Sequence, residues 1–156
     1  MNHLKQIAAK LPEYGIDAML LSSAPGEFYG VGFHGEGYVM VTAGECRYFT
    51  DSRYIEAAEK TVTGAAITMT GRGKSYPVLI QEGINELGIR KLGFEDSYMT
   101  VAEYKRLEGA LQVELVPAQG LVNGLRAAKD QEELDAMVKA QRISERAFDE
   151  ILKFIK

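Results

Sequence analysis

Short apolar runs alternate with amphipathic stretches along this chain, and one adjacent pair of runs breaks the rhythm. Asp17–Ser23 (DAMLLSS), Ala65–Thr70 (AAITMT), Lys91–Phe94 and Val113–Val116 are each flanked by segments of helical spacing. Runs of this length, bounded by Gly, Pro, Asp or Ser, read as buried strands. GYVMVT and CRYFT, by contrast, follow one another with only Ala43-Gly44-Glu45 between them. That spacing predicts a hairpin, and a hairpin is antiparallel. Strands separated by helices require a layered α/β structure, and the hairpin makes its sheet mixed. The expected fold is therefore α/β, three-layer α/β/α with a mixed central sheet.

The helices follow from the same periodicity. Residues 3–10 place Leu4, Ile7, Ala8 and Leu11 on one face, and Pro12 and Gly15 close the segment. Further helices are predicted over Ser52–Lys60, over Pro77–Leu87 up to Gly88, and from Thr100 to about Leu111. Thr100 with Glu103 has the spacing of a capping box. A short helical turn is expected at Leu121–Leu125, and the glycine-rich APGEFYGVGFHGEG reads as a loop. The last helix begins at Asp130, a candidate N-cap, with Glu132 and Glu133 in its first turn, and runs to Lys156. Leu134, Met137, Val138, Phe148, Ile151, Leu152 and Ile155 give it an apolar stripe, and no capping residue follows. A stripe of that size needs a partner. The expectation is a chain interrupted one helix into a second unit, with that helix projecting, fraying or pairing with another copy.

Composition narrows the function. A chain of 156 residues is one domain's worth and can bury a core without disulfides. Against 18 Lys and Arg stand 22 Asp and Glu, a net charge of −4, which leaves no basic footprint for nucleic acid or anionic lipid. No apolar run approaches the roughly 20 residues that cross a bilayer. The single cysteine, Cys46, cannot form an internal disulfide and reads as an inert core thiol in a cytoplasmic protein.

Three stretches could carry chemistry. TGRGKS (residues 70–75) lies between a strand and a helix but has half of a phosphate loop only: Thr68 stands where the first glycine belongs, and Pro77 removes a donor. It reads as a solvated turn with Ser75 as an N-cap. His3 lies on a polar helix flank and reads as surface. His34 and Glu36, in GFHGEG, sit on a loop able to move, yet supply too few ligands for a metal and no partnered nucleophile. Asp51-Ser52-Arg53-Tyr54 reads as a strand-to-helix junction, with Asp51 or Ser52 as the cap and Arg53 paired to a carboxylate.

Taken together, these pieces resemble a known family. Tyr29, Gly32 and Phe33, then Thr50, Asp51, Ser52, Arg53 and Tyr54, then Leu125, Arg126, Lys129, Asp130 and Glu133, resemble in order the motifs of the creatinase/prolidase N-terminal domain and the linker that follows it. The resemblance implies a fold with a ribonuclease H-like motif over residues 1–124. Residues 125–156 would be the linker and first helix of a "pita-bread" catalytic domain. It implies a parent hydrolase, a Xaa-Pro aminopeptidase or Xaa-Pro dipeptidase (prolidase), in which two divalent metal ions (Mn, Co or Zn), held by residues beyond Lys156, activate hydroxide. This chain would itself hold no metal and no catalytic residue. It would support a homodimer and touch proline-containing peptides at the neighbouring subunit's active site through Phe33, His34, Glu36 and Arg53. The alternatives are a free-standing α/β module that binds a ligand or partner, and a domain of a creatinase-like non-peptidase.

Overall fold

The computed structural model describes residues 2–155. Six strands form one sheet: β1 (Ala18–Leu21), β2 (Tyr38–Thr42), β3 (Cys46–Thr50), β4 (Ala66–Met69), β5 (Lys91–Phe94) and β6 (Glu114–Pro117), in spatial order β4-β3-β2-β1-β5-β6. The β1–β2 and β2–β3 pairs are antiparallel; β3–β4, β1–β5 and β5–β6 are parallel. The expected hairpin is therefore β2–β3, and the sheet is mixed. Asp17 fixes the entry to β1, because its side chain accepts the N–H groups of Arg90 and Lys91, both at 2.9 Å.

Strand alternation sorts the apolar residues into two cores. Met19, Leu21, Val39, Val41 and Tyr48 face one side, where they meet Leu4 and Ile7 of α1 (Leu4–Lys10), Tyr29 and Val31 of α2 (Ala24–Val31), Ala58 of α3 (Ile55–Thr61) and Leu121 and Val122 of α6 (Gln119–Ala127). Ala18, Leu20, Tyr38, Met40 and Phe49 face the other, against Leu79, Ile80 and Ile84 of α4 (Tyr76–Leu87) and Leu107 of α5 (Val101–Ala110). A strand covered on both faces must be apolar at every position, and β1 is buried throughout. The result is the expected three-layer α/β/α arrangement.

Three boundaries differ from the sequence reading. The stretch 24–31 is a helix, capped by Ser23, whose hydroxyl accepts the Gly26 N–H at 2.9 Å. Its glycines are there for close packing. A Cβ on Gly26 would lie 2.3 Å from Glu95 Oε1, and one on Gly30 would lie 2.7 Å from Leu21 Cδ1. Helix α3 starts at Ile55, three residues later than expected, and neither Asp51 nor Ser52 caps it with a side chain. Asp51 instead turns back to accept the Arg53 N–H at 2.8 Å. At α5, Thr100 accepts the Glu103 N–H, but the Glu103 carboxylate is taken by the Tyr38 hydroxyl at 2.5 Å, so the box is half formed.

The remaining elements lie within a few residues of expectation. Ser75 precedes α4 with extended backbone, without a side-chain cap bond. TGRGKS closes as a tight turn in which Gly71 and Lys74 exchange two backbone hydrogen bonds, around Gly73 at φ 75°. The last helix, α7 (Gln131–Leu152), carries a complete capping box from Asp130 and Glu133 and has no buried residue. No helix among the described residues is long and apolar enough to cross a membrane.

Candidate functional site

One end of the sheet gathers the residues with chemistry. β1 ends there, β2 begins there, and β3 ends there, so Ser22, the 32–37 loop and the Asp51–Tyr54 turn converge. The ends of strands, where loops meet over a rigid sheet, are where α/β proteins place their sites.

Glu27 organises this end. It sits on α2 with only 2% of its surface exposed. Its Oε1 accepts the N–H of Gly35 at 3.1 Å, the N–H of Gly37 at 3.0 Å and the hydroxyl of Tyr48 at 2.6 Å. A buried carboxylate needs such donors, and loop amides need such an acceptor. The loop is thus tied to the helix before it and the strand beneath it. Burial pushes the Tyr48 hydroxyl well above the ordinary tyrosine range, and donation to Glu27 adds to the effect. A second buried carboxylate, Glu95, completes the frame: it accepts the N–H of Ser22 at 2.7 Å and of Ser23 at 2.8 Å, and the Ser23 hydroxyl at 2.7 Å.

The four residues singled out by sequence part company here. Glu36 and Arg53 meet: Nη2 of Arg53 lies 3.0 Å from Glu36 Oε2 and 2.7 Å from Asp51 Oδ2. Asp51 is held below the usual carboxylate range, chiefly by the Arg53 guanidinium, and Arg53 is pushed up by the same bonds. Glu36 has φ 50°, in the left-handed region that disfavours a side chain, and its carbonyl accepts from the Tyr76 hydroxyl at 3.4 Å. His34 is exposed and stacks on Phe28, with ring centroids 4.5 Å apart. Phe33 turns inward: it is half-buried, packs on the core and meets Tyr48 edge-on at 6.2 Å.

Between these groups lies a cavity of about 440 Å³, lined by Ser22, Ala24, Glu27, His34, Glu36, Gly37, Tyr38 and Tyr54. Glu27, Tyr38 and Tyr48, which build or support it, were not singled out by the sequence. The available signal was Glu27 itself, a lone acid between apolar and glycine residues in SAPGEFYG.

His3, read from the sequence as surface, is buried. Its ring lies flat on Tyr29, centroids 4.0 Å apart; Nδ1 faces the Tyr29 carbonyl at 2.9 Å and Nε2 faces Asp130 Oδ2 at 3.1 Å. The polar flank of α1 is covered because α2 and the start of α7 fold over it. Asp130 is held below the usual carboxylate range by the Glu133 N–H first and by His3 second. His3, Asp130 and Glu133 present ligand-type atoms within 4.8 Å of one another. The capping box and the His3 hydrogen bonds already account for that grouping.

A mixed six-stranded sheet covered on both faces, with an acidic loop-built cavity at one end, defines a three-layer α/β domain. The sequence model of the creatinase/prolidase N-terminal domain matches residues 3–128, and the chain belongs to that family. It is 32% identical over 155 residues to the uncharacterized peptidase YqhT of Bacillus subtilis (strain 168), covering 98% of this chain and 43% of that protein. The Xaa-Pro dipeptidase from Bacillus anthracis superposes with a TM-score of 0.91 at 32% identity, over 98% of this chain and 43% of that one. The X-Pro aminopeptidase from Thermotoga maritima MSB8 shares the fold, with a TM-score of 0.88 at 23% identity, over all of this chain and 44% of that one. The chain thus spans less than half the length of these relatives.

Proposed function

We propose that this chain serves as the N-terminal, non-catalytic domain of a metal-dependent peptidase that cleaves Xaa-Pro bonds. The observation that carries the reading is the close superposition on 43% of a Xaa-Pro dipeptidase, with 98% of this chain used. The bare apolar stripe of α7 supports it. Met137, Val138, Phe148, Ile151 and Leu152 are each half or more exposed, a surface that fits the start of a further domain. On this reading residues 1–124 form the accessory domain and residues 125–156 lead into the catalytic one.

The divalent ions such a peptidase uses would generate hydroxide in the catalytic part. The His3–Asp130–Glu133 grouping does not fit that set, since its atoms are committed to capping α7 and to holding α1, and no step is routed through it. The part played by this chain is positional. His34 and Glu36 stand on a loop anchored by Glu27, and Arg53 reaches Glu36 from the adjacent Asp51–Tyr54 turn; there they would contact a peptide in the neighbouring active site of a cytoplasmic dimer, and Phe33 stiffens the loop from beneath. Polar groups placed so add selectivity, because a wrong ligand leaves them unpaired.

The test is cleavage of Xaa-Pro dipeptides and of longer Xaa-Pro peptides by the full-length protein. Release of free proline from dipeptides alone identifies a dipeptidase; cleavage of longer peptides identifies an aminopeptidase. Absence of both, with metal bound, rejects the peptidase reading in favour of a creatinase-like or free-standing role.

A further inference from the structure

The two edges of the sheet are built differently. A sheet edge offers unpaired backbone N–H and C=O groups, and proteins usually blunt it with charge or proline. At the β6 edge, Glu114 and Ala118 turn their N–H groups inward, to the Arg90 and Phe94 carbonyls at 3.0 and 2.9 Å. Alternation then turns Leu115 and Pro117 outward, and Pro117 has no N–H to offer. Glu114 adds a charge, 3.8 Å from Lys91.

The β4 edge has neither device. Thr70 donates inward to the Thr50 carbonyl at 2.8 Å, so alternation turns Ile67 and Met69 outward. Their backbone groups meet no hydrogen-bond partner on that side among the described residues. No residue from Thr61 to Gly71 is charged. Ile67 packs on the core, while Met69, on the same face, is 44% exposed.

This edge is complementary to itself. A two-fold axis through Thr68, perpendicular to the sheet, sets Ile67 opposite the partner's Met69 and Met69 opposite the partner's Ile67. Both pairs join outward-facing residues, so each pair exchanges two backbone hydrogen bonds. Both also lie on the face where Ile67 packs, so the bare Met69 side chain is covered by the partner's Ile67. On the other face Thr68 meets the partner's Thr68. Charge agrees with this register. The uncharged run keeps like charges out of the seam. The turn that carries Arg72 comes to the partner's Gly64, close to the last turn of α3 with the partner's Glu59. Neither Arg72 nor Glu59 has an ion-pair partner of its own among the described residues.

We propose that the β4 edge pairs antiparallel with the β4 edge of a second copy of this chain, joining two six-stranded sheets into one across a two-fold axis. Two short strands make a small interface, so the dimer forms reversibly. The inference deepens the dimer of the proposed function by naming its surface. It rests on that reading for its biological role but not for the chemistry of the edge.

The test is sedimentation of this chain over a range of concentrations, with amide hydrogen exchange as the position-specific readout. A concentration-dependent dimer is expected, with the Ile67 and Met69 amides exchanging more slowly as it forms. Met69→Lys sets a charge beside Ile67 on both sides of the axis and should raise the dissociation constant about tenfold, with the urea midpoint of the dilute protein unchanged. Phe148→Glu, on the exposed stripe of α7, should leave the dimer intact. A monomer at every concentration would overturn the proposal. So would a dimer in which the Ile67 and Met69 amides still exchange fast, or one lost with Phe148→Glu and kept with Met69→Lys, since either places the contact elsewhere. Slow exchange of these amides in a monomeric full-length protein would give the edge to that protein's own further chain and would equally overturn it. Cleavage of Xaa-Pro peptides is measured separately, and none of these results decides it.

Discussion

At the scale of single residues, the site depends on Glu27 more than on the residues that project into solvent. Glu27→Ala would strand two loop amides and the Tyr48 hydroxyl in a buried setting. Leaving such groups unpaired costs about 1–3 kcal/mol each before relaxation and hydration, and we expect a net loss of about 3 kcal/mol in urea unfolding. Faster amide exchange at Gly35 and Gly37 should accompany it, and an unchanged midpoint would show that the loop is held by something else. Gly26→Ala drives a methyl into the buried Glu95 carboxylate and should cost about 2 kcal/mol by overpacking. His34→Ala removes an exposed ring stacked on Phe28 and should leave folding alone. If the full-length protein has the proposed peptidase activity, the change should lower its kcat/KM by up to about tenfold with metal content unchanged, the pattern of a lost substrate contact.

At the scale of elements, the strands were legible because their alternation is imposed by two cores, and each of the six lies within two residues of its expected ends. What was not legible had a tertiary cause. Gly26 and Gly30 look like loop punctuation in a sequence, but they admit the Glu95 carboxylate and the Leu21 side chain against a helix. Glu103 has the spacing of a capping residue, but Tyr38, 65 residues earlier, claims its carboxylate. His3 reads as surface until Asp130, 127 residues later, closes over it. Of the candidate site, the Glu36–Arg53 pair followed from the idea that Arg53 finds a carboxylate; Glu27 did not, since its donors belong to other elements.

Element junctions also set the pH response. Asp17 is held below the usual carboxylate range by the Arg90 and Lys91 N–H groups, as Asp51 is by Arg53. Such a group contributes stability above its unfolded pKa, about 3.9, and loses it as pH falls through the lower folded value. Burial pushes Tyr38 and Tyr76 up to about 12. Their contribution is complete below the unfolded value, about 10, and is lost as pH rises toward the folded one. The urea midpoint should therefore be level between these limits and fall below about pH 4 and above about pH 10. Asp17→Asn should flatten the acid limb; an unaltered limb would show that the Asp17 bonds do not couple to unfolding.

At the scale of the whole molecule, a stable sheet with two complete cores is joined to a helix that buries nothing. The two facts together fit the proposed role of a scaffold with a surface for further structure. The absence of buried residues in α7 locates the surface where further structure would pack. The central claim is that the reaction belongs elsewhere in the parent protein and that this chain positions its substrate. The most direct measurement is turnover of a Xaa-Pro dipeptide by the isolated 156-residue chain, with manganese, cobalt or zinc supplied, beside the full-length protein. The account predicts proline release by the full-length protein and none by the chain alone; release by the isolated chain would contradict it.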